Sequence, residues 1–190
     1  ALEIRADLSG RELAGLEVAE CRFDGAQLTS ASLARCRVRD SVFVDCEASG
    51  AMLEAVVLDR VELHRCRLAG AILSRGRLRD VRFVDCLLRD VQLRVAEATH
   101  LRFDSCDLAG ADFYGSSLAR TRFFDCDLSD ADFTKTDLEG ARLHGSKLER
   151  LRGVGSLARV VVASAQAIPL AVQLLSAAGI EVDDERGAGE

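Results

Sequence analysis

A large apolar residue returns at every fifth position along most of this chain. The five-residue register runs without interruption from Leu8 to Leu148. Its 29 positions hold 18 Leu, seven Phe and four smaller residues, Val18, Val38, Ala48 and Ala98. Five residues rotate an α-helix by five times about 100°, which moves the apolar residue off any single face, and five residues of a straight strand place it on the opposite face. The period therefore predicts a backbone that turns a corner once in each repeat.

A second, smaller residue precedes each of these positions by two, for example Ala26, Ala31 and Cys36. Residues two apart on an extended segment point to the same side, so both are predicted to face inward, while the other three face solvent or the corner. Cysteine and phenylalanine recur at intervals of 20 residues, in the columns Cys46, Cys66, Cys86, Cys106, Cys126 and Phe23, Phe43, Phe83, Phe103, Phe123. Four repeats therefore form one coil, and equivalent residues are predicted to stack about 4.8 Å apart.

Several segments share one short motif, with an acidic residue before the large apolar one. The segments ADFTK, TDLEG, CDLAG, ADFYG and CDLSD follow the pattern A(D/N)LXX. In this motif the chain resembles the pentapeptide-repeat proteins, over about three quarters of its length. The resemblance implies an all-β solenoid, a right-handed quadrilateral β-helix of pentapeptide repeats, over residues 1–152, with a short C-terminal α-helix after it. Because one architecture can host many functions, the fold alone does not define one.

The register ends after Leu148, and residues 153–190 are predicted to form a strand–helix–strand module that caps the rod or pairs with a second copy. The β-branched run 160–162 and the pair Ile180 and Val182 predict the strands. The helix is expected near 164–178, with Ser164 as N-cap, Gly179 at C′ and Pro169 kinking the helix or delaying its start. The predicted dimer interface consists of Ile168, Leu170, Val172, Leu174, Leu175 and Ile180.

Cysteine and histidine placement favours neither an enzyme nor a metal site. All seven cysteines occupy the smaller inward position with a shortest spacing of ten residues, whereas zinc sites usually contain closely spaced pairs. The cysteines are therefore interpreted as small buried hydrophobes. His64, His100 and His144 fall at outward positions, and none accompanies a recognised nucleophile motif. No catalytic, cofactor-binding or metal-binding residue is predicted.

The composition allows an acidic surface, and acids become denser in the later coils. Residues 101–150 carry ten acids and seven bases, whereas residues 51–100 carry seven acids and nine bases. The chain has 31 acidic and 25 basic residues, so direct nucleic-acid binding is not expected. The candidate partner-binding acids are Asp107, Asp112, Asp125, Asp127, Asp130, Asp132 and Asp137. A column of arginines is also present, at Arg22, Arg82, Arg102, Arg122 and Arg142. The alternative interpretation is a lattice of ion pairs between coils that keeps a narrow rod soluble.

An uncharged stretch in the tail raises the question of a membrane span. Arg159 and Glu181 bracket 21 uncharged residues, but Gln166, Gln173 and Pro169 make this stretch only weakly apolar. No membrane segment is therefore predicted, and the cytoplasm is the expected location.

The tail resembles the C-terminal helix and strand of the Qnr and MfpA class of pentapeptide-repeat proteins. This resemblance implies a head-to-head, rod-shaped homodimer without enzymatic activity or cofactors. It also implies a partner, bacterial DNA gyrase or topoisomerase IV, that is bound by imitating duplex DNA in shape and charge. The expected result is inhibition of the topoisomerase or its protection from quinolones and natural-product poisons. The alternative is a pentapeptide-repeat scaffold that binds some other protein.

Overall fold

The computed structural model describes residues 2–180. Within them the chain is a parallel β-solenoid, and its strands form one nine-stranded sheet. The strands are β1 Leu2–Ile4, β2 Glu17–Ala19, β3 Cys21–Asp24, β4 Arg37–Val44, β5 Val57–His64, β6 Arg77–Val84, β7 Glu97–Thr99, β8 Arg102–Asp104 and β9 Arg122–Phe124. A 3₁₀ helix at Val154–Leu157 and the helix α1 at Ser164–Ala177 follow.

The strand register confirms that one coil contains 20 residues. Val38 pairs with Leu58 between β4 and β5, and Phe83 pairs with Phe103 between β6 and β8. The long strands β4, β5 and β6 each cover two adjacent sides of the coil. The other two sides carry single bridges in the same register, such as Asp107 with Asp127. Every coil is therefore hydrogen-bonded to its neighbours by backbone groups of equivalent residues.

Corners are made by residues in the left-handed region of backbone conformation. At one corner the carbonyl oxygen of Leu28 accepts a hydrogen bond from the Ala31 amide at 3.0 Å, and Ser30 between them has φ of 54°. Glycine suits this conformation because it lacks a Cβ atom. Five glycines with positive φ lie at corners of the coils, namely Gly25, Gly50, Gly70, Gly110 and Gly140.

Side chains at the fifth-residue register fill the interior. Leu118 and Phe123 are fully buried, as predicted. The phenylalanines stack along the axis, with ring centroids 5.2 Å apart for Phe103 and Phe123. The cysteines of the inward column are free thiols, buried from Cys36 onward, while Cys21 in the first coils is only half-buried. The core is thus a line of stacked layers that continues along the rod.

Helix α1 covers the last coil and is fastened to it by two glutamines. Gln166 Nε2 donates to the carbonyl oxygens of Leu143 at 2.7 Å and Ser146 at 2.6 Å. Gln173 Nε2 donates to the carbonyl oxygen of Leu148 at 2.6 Å, and its Oε1 accepts from the Leu151 amide at 3.0 Å. These bonds satisfy backbone groups that the final coil cannot pair with another coil.

Helix α1 differs from its prediction at the N-terminus. The N-cap is Ala163 instead of Ser164, and the Ala163 amide donates to Gln166 Oε1 at 2.8 Å. Pro169 lies in the second turn, so it does not delay the start of the helix. Gly179 follows the C-cap Ala178 with φ of 73°, as expected for C′.

Two strands were predicted on either side of helix α1, and neither forms within residues 2–180. The run 160–162 makes a single bridge, between Val161 and Arg142. Ile180 lies in no strand, and Val182 is outside the described residues. Within residues 2–180 no helix combines the length and apolarity needed to cross a bilayer.

Candidate functional site

Five of the seven candidate acids close backbone turns. Each accepts a hydrogen bond from the amide two residues further along, at 2.8 to 3.2 Å. These acids are Asp107, Asp112, Asp127, Asp132 and Asp137. A side-chain oxygen in this arrangement takes the place of a backbone acceptor in the turn. The acid of the repeat motif therefore has a structural function in the turn, in agreement with the known preference of Asp for turns.

Most of the same acids also pair with a cation from a neighbouring coil. Lys147 Nζ lies 3.1 Å from Asp127 Oδ2, and Arg150 Nη2 lies 2.6 Å from Asp130 Oδ2. The other pairs are Asp107 with Arg89, Asp112 with Arg94, and Asp132 with Arg152. Exposed pairs of this type are each worth about 0–1 kcal/mol. They neutralise much of the predicted acidic surface.

The partners of these acids lower their pKa values. The hydrogen bond from Arg150 is the main reason why the pKa of Asp130 lies below its ordinary value. At Asp127, partial burial acts to raise the pKa, but hydrogen bonds from Ser129 and Lys147 outweigh it. Both carboxyl groups are therefore ionised at neutral pH, and their charge is balanced locally.

The structure does not bring the seven acids together into one patch. Asp107 and Asp127 share one column, and Asp112 and Asp132 share another. Asp137 bridges to Ser117 in a third column, while Asp125 and Asp130 lie at corners with positive φ. Of the seven, Asp125 and Asp137 have no ion pair within residues 2–180.

The charge of the described region is almost balanced. Residues 181–190 hold five of the 31 acids and one of the 25 bases, so residues 1–180 contain 26 acids and 24 bases. The total composition, with 31 acids and 25 bases, suggests a more acidic rod. The excess of acids in residues 101–150 remains, but much of it is paired with cations of adjacent coils.

One side of the later coils carries the predicted arginine column. Arg82, Arg102, Arg122 and Arg142 are in register, one coil apart. Asp104 accepts hydrogen bonds from Arg82 Nε and Arg102 Nε, both at 2.7 Å.

A shallow groove of about 400 Å³ runs beside this column, lined by Arg102, Asp104, Phe124, Asp125, Arg142, His144 and Gly145. The Arg102 guanidinium lies 5.2 Å from the centre of the Phe124 ring. The groove therefore presents an aromatic ring beside both basic and acidic side chains. Sequence reasoning missed it, although an outward phenylalanine at position 124 was a usable signal.

Helix α1 presents an uncovered apolar surface at the end of the rod. Ile168 is 77% exposed, Val172 55% and Leu174 41%, and Ile180 just beyond the helix is 52% exposed. Leu175 is half-buried. Leu170 is only 6% exposed, because it packs into the core at the end of the rod, so it cannot contribute to an interface on the outer surface.

The inward cysteines are free thiols, and from Cys36 onward they are buried in the core. Hydrogen bonding with Cys106 and then with Cys66 lowers the pKa of Cys86. Hydrogen bonding with the neighbouring thiols of Cys46 and Cys86, followed by burial, raises the pKa of Cys66. Within the described part of the chain no group of three or more His, Cys, Asp or Glu side chains is arranged to hold a metal ion.

Comparison with known protein families identifies one kind of repeat. A family model described as "Pentapeptide repeat region" matches residues 56–133. A second model, described as "Pentapeptide repeats (8 copies)", matches residues 21–60 and 120–150. A search of curated protein sequences finds no significant match.

Solved structures include similar solenoids. A trypsin-treated variant of QnrB1, a plasmid-mediated fluoroquinolone resistance protein, is 18% identical, with a TM-score of 0.51 over 96% of this chain and 100% of that chain. HetL, a pentapeptide-repeat protein involved in heterocyst differentiation regulation in the cyanobacterium Nostoc, is also 18% identical, with a TM-score of 0.25 over 80% and 87% of the two chains. At this identity the first match demonstrates the fold alone, and the second adds nothing to it.

Proposed function

This chain belongs to the pentapeptide-repeat family, and we propose that it is a homodimeric, rod-shaped binding protein whose partner is a bacterial type II topoisomerase, DNA gyrase or topoisomerase IV. The observation that carries the proposal is the uncovered apolar helix at one end of a regular rod. The choice of topoisomerase rests on the resemblance to the Qnr and MfpA class. On this proposal the protein works in the cytoplasm, as a binding protein without enzymatic activity.

The proposed dimer joins two rods through helix α1. Exposed apolar patches of this kind mark interaction sites, and a patch that pairs with its own copy gives a closed two-fold dimer. The proposed interface consists of Ile168, Val172, Leu174, Leu175 and Ile180. Leu170 is removed from the interface predicted by sequence, because it is already buried within one chain.

The proposed partner surface consists of carboxylates spaced by the coil repeat. Asp107 and Asp127 lie in adjacent coils, so their spacing follows the interstrand distance of about 4.8 Å. A groove that binds DNA phosphates presents Lys and Arg side chains to its ligand. Exposed ion pairs such as Asp127–Lys147 contribute little free energy, so cations of the partner can replace the cations of this chain.

A supercoiling assay with purified DNA gyrase tests the proposed function. The chain is expected to inhibit supercoiling or to protect gyrase from a quinolone, and the effect is expected to weaken as salt concentration rises. Absence of inhibition, of protection and of a complex with gyrase would remove this proposal.

The contribution of charge can be separated from that of the fold. Replacing Asp107, Asp112, Asp127 and Asp132 by Asn removes four charges but keeps the oxygen that closes each turn. The variant is expected to fold and to lose much of its effect on gyrase. The matched control replaces Asp40, Asp45 and Asp59, which pair with arginines in the earlier coils, and is expected to retain the effect.

The proposed dimer has its own test. Leu174→Arg places a charge on the exposed helix surface and is expected to give a monomer by analytical ultracentrifugation. Thr29→Arg, at an exposed polar position in the early coils and outside helix α1, serves as the control. A wild-type chain that is monomeric at micromolar concentration would contradict the proposed interface.

The second candidate function is a scaffold that binds a different protein. The near balance of 26 acids and 24 bases in residues 1–180 favours it, because a DNA mimic should be strongly negative. This candidate predicts a dimer with no complex with gyrase and no effect of the four-Asp variant on dimerisation.

A further inference from the structure

The interior of the solenoid is filled unevenly along its axis. In the later coils the central positions alternate between Phe and Leu, and every one of these side chains is buried; they are Phe103, Leu108, Phe113, Leu118, Phe123, Leu128, Phe133 and Leu138. In the first coils three equivalent positions hold the smaller residues Val18, Val38 and Ala48. The backbone repeat is the same in both halves, so the smaller side chains leave space unoccupied.

An internal cavity of about 140 Å³ occupies this region. Its lining is entirely apolar and includes Leu28, Ala48, Leu58, Leu68 and Phe43. A buried space without polar partners does not hold ordered water. The cavity is therefore an empty apolar site in the core of the rod.

Ala48 has the central place in this cavity. The backbone register places it directly between Leu28 and Leu68, and Ala48 is 7% exposed. Alanine lacks the three outer carbon atoms that leucine supplies at these two positions. The missing volume therefore lies inside the rod, and Leu28 and Leu68 of the same column line it together with Ala48.

The shape of the cavity limits what it can accept. Its lining extends from Leu8 to Phe83, which is nearly four coils, or roughly 18 Å at the interstrand distance. At the N-terminal end Leu16 lines the cavity and is 46% exposed, whereas Phe83 at the other end is fully buried. The cavity is therefore elongated along the axis of the rod, and a ligand must be long and narrow.

We propose that the N-terminal half of the solenoid binds a short unbranched alkyl chain within its core. An engineered apolar cavity of about 150 Å³ is known to stay dry and to bind benzene, which sets the size of the ligand at about six carbon atoms. The elongated shape favours a linear chain over a ring of the same carbon number. This site is independent of the partner proposed above, because it lies inside the rod and uses none of the surface acids.

Binding can be measured with n-hexane as the probe. The urea midpoint of the wild-type chain is expected to rise in buffer saturated with n-hexane and to rise less with cyclohexane. In ¹H–¹⁵N spectra n-hexane is expected to shift the amides around Leu28, Ala48 and Leu68 and to leave those around Phe113 and Phe123 unchanged. The spectra need only the wild-type chain, so they decide the question even if a variant fails to fold.

Two variants locate the site. Ala48→Leu fills the cavity and is expected to abolish the n-hexane response. Ala98→Leu makes the same change at a central position that does not line the cavity, and it is expected to keep the response. The proposal is overturned if n-hexane causes no shift, if the shifts occur around Ile168 and Val172 on helix α1, or if Ala48→Leu responds like the wild-type chain.

Discussion

The rings of Phe113 and Phe133 lie one coil apart and are parallel, with centroids 4.9 Å apart and planes 3° apart. Phe123, on another side of the coil, meets Phe133 edge to face, with centroids 6.1 Å apart and planes 80° apart. Rings therefore stack within a column and meet at right angles between columns. Offset stacking and edge-to-face contact are both more favourable than an eclipsed face-to-face stack. Each such pair stabilises the fold by about 0.5–1.5 kcal/mol beyond the contribution of the buried area.

Truncation of Phe123 is expected to destabilise the chain strongly. Its ring is fully buried and contacts Phe103, Phe113 and Phe133, so Phe123→Ala should lower the free energy of unfolding by about 3–5 kcal/mol. Urea unfolding monitored by circular dichroism measures this loss. The neighbouring variant Phe124→Ala is the control, because that ring points outward and should cost much less. Equal losses in the two variants would contradict the inward register.

Thr121 offers a stabilising substitution. Its hydroxyl oxygen is buried and has no hydrogen-bond partner among residues 2–180, and Val61 and Val81 occupy the same inward column. Thr121→Val should raise the free energy of unfolding by about 1 kcal/mol, because it removes a polar group that burial penalises. The matched control is Thr136→Val, since the Thr136 hydroxyl donates to the Phe113 carbonyl oxygen at 2.8 Å. We expect no gain there, and a gain of similar size in both variants would refute the assignment.

Val95 is strained at a corner. It has φ of 54°, a conformation that costs a β-branched residue about 1–2 kcal/mol, and its side chain is 56% exposed. Val95→Asn should therefore raise the midpoint of thermal unfolding, because asparagine tolerates this region. Gly115 occupies the equivalent corner one coil further along, with φ of 67°. Gly115→Val places a β-branched residue in this strained conformation and should lower the midpoint of thermal unfolding. A lower midpoint for Val95→Asn would contradict the corner geometry.

Stability is expected to fall in acid. Hydrogen bonds from Arg60 and Arg150 lower the pKa values of Asp40 and Asp130 below the ordinary value of 3.8. A carboxyl group whose pKa is lower in the folded chain stabilises the fold at pH values above its unfolded pKa. This contribution is lost as the pH falls through the folded pKa. The urea midpoint should therefore be steady near neutral pH and decrease below about pH 4. A midpoint that rises on acidification would show that these pairs do not form.

The five-residue period predicted a corner in each repeat and the inward cysteine column, and the 20-residue recurrence of Cys and Phe predicted the four-sided coil. These predictions succeed because each position of the repeat faces either inward or outward in every coil, and the backbone geometry shared by neighbouring coils determines which. Phe123 and Leu118 are buried for this reason. The presence of glycine at several corners has the same explanation, because the backbone at each corner adopts a positive φ.

The surface and the rod end could not be predicted in the same way. Whether Asp127 is a free carboxylate depends on the side-chain conformation of Lys147 in the next coil, which the period does not specify. The burial of Leu170 depends on how Gln166 and Gln173 dock helix α1 on the last coil. The cavity beside Ala48 depends on the summed volumes of several side chains, none of which departs from the apolar pattern.

Competition between this chain and duplex DNA for purified DNA gyrase tests the central claim most directly. The fluorescence anisotropy of the labelled chain is measured as gyrase and then unlabelled duplex are added. The proposed DNA mimicry predicts a rise in anisotropy with gyrase and a full return to the free value as the duplex displaces the chain. An anisotropy that stays at the free value throughout, or that remains high with saturating duplex, would contradict it.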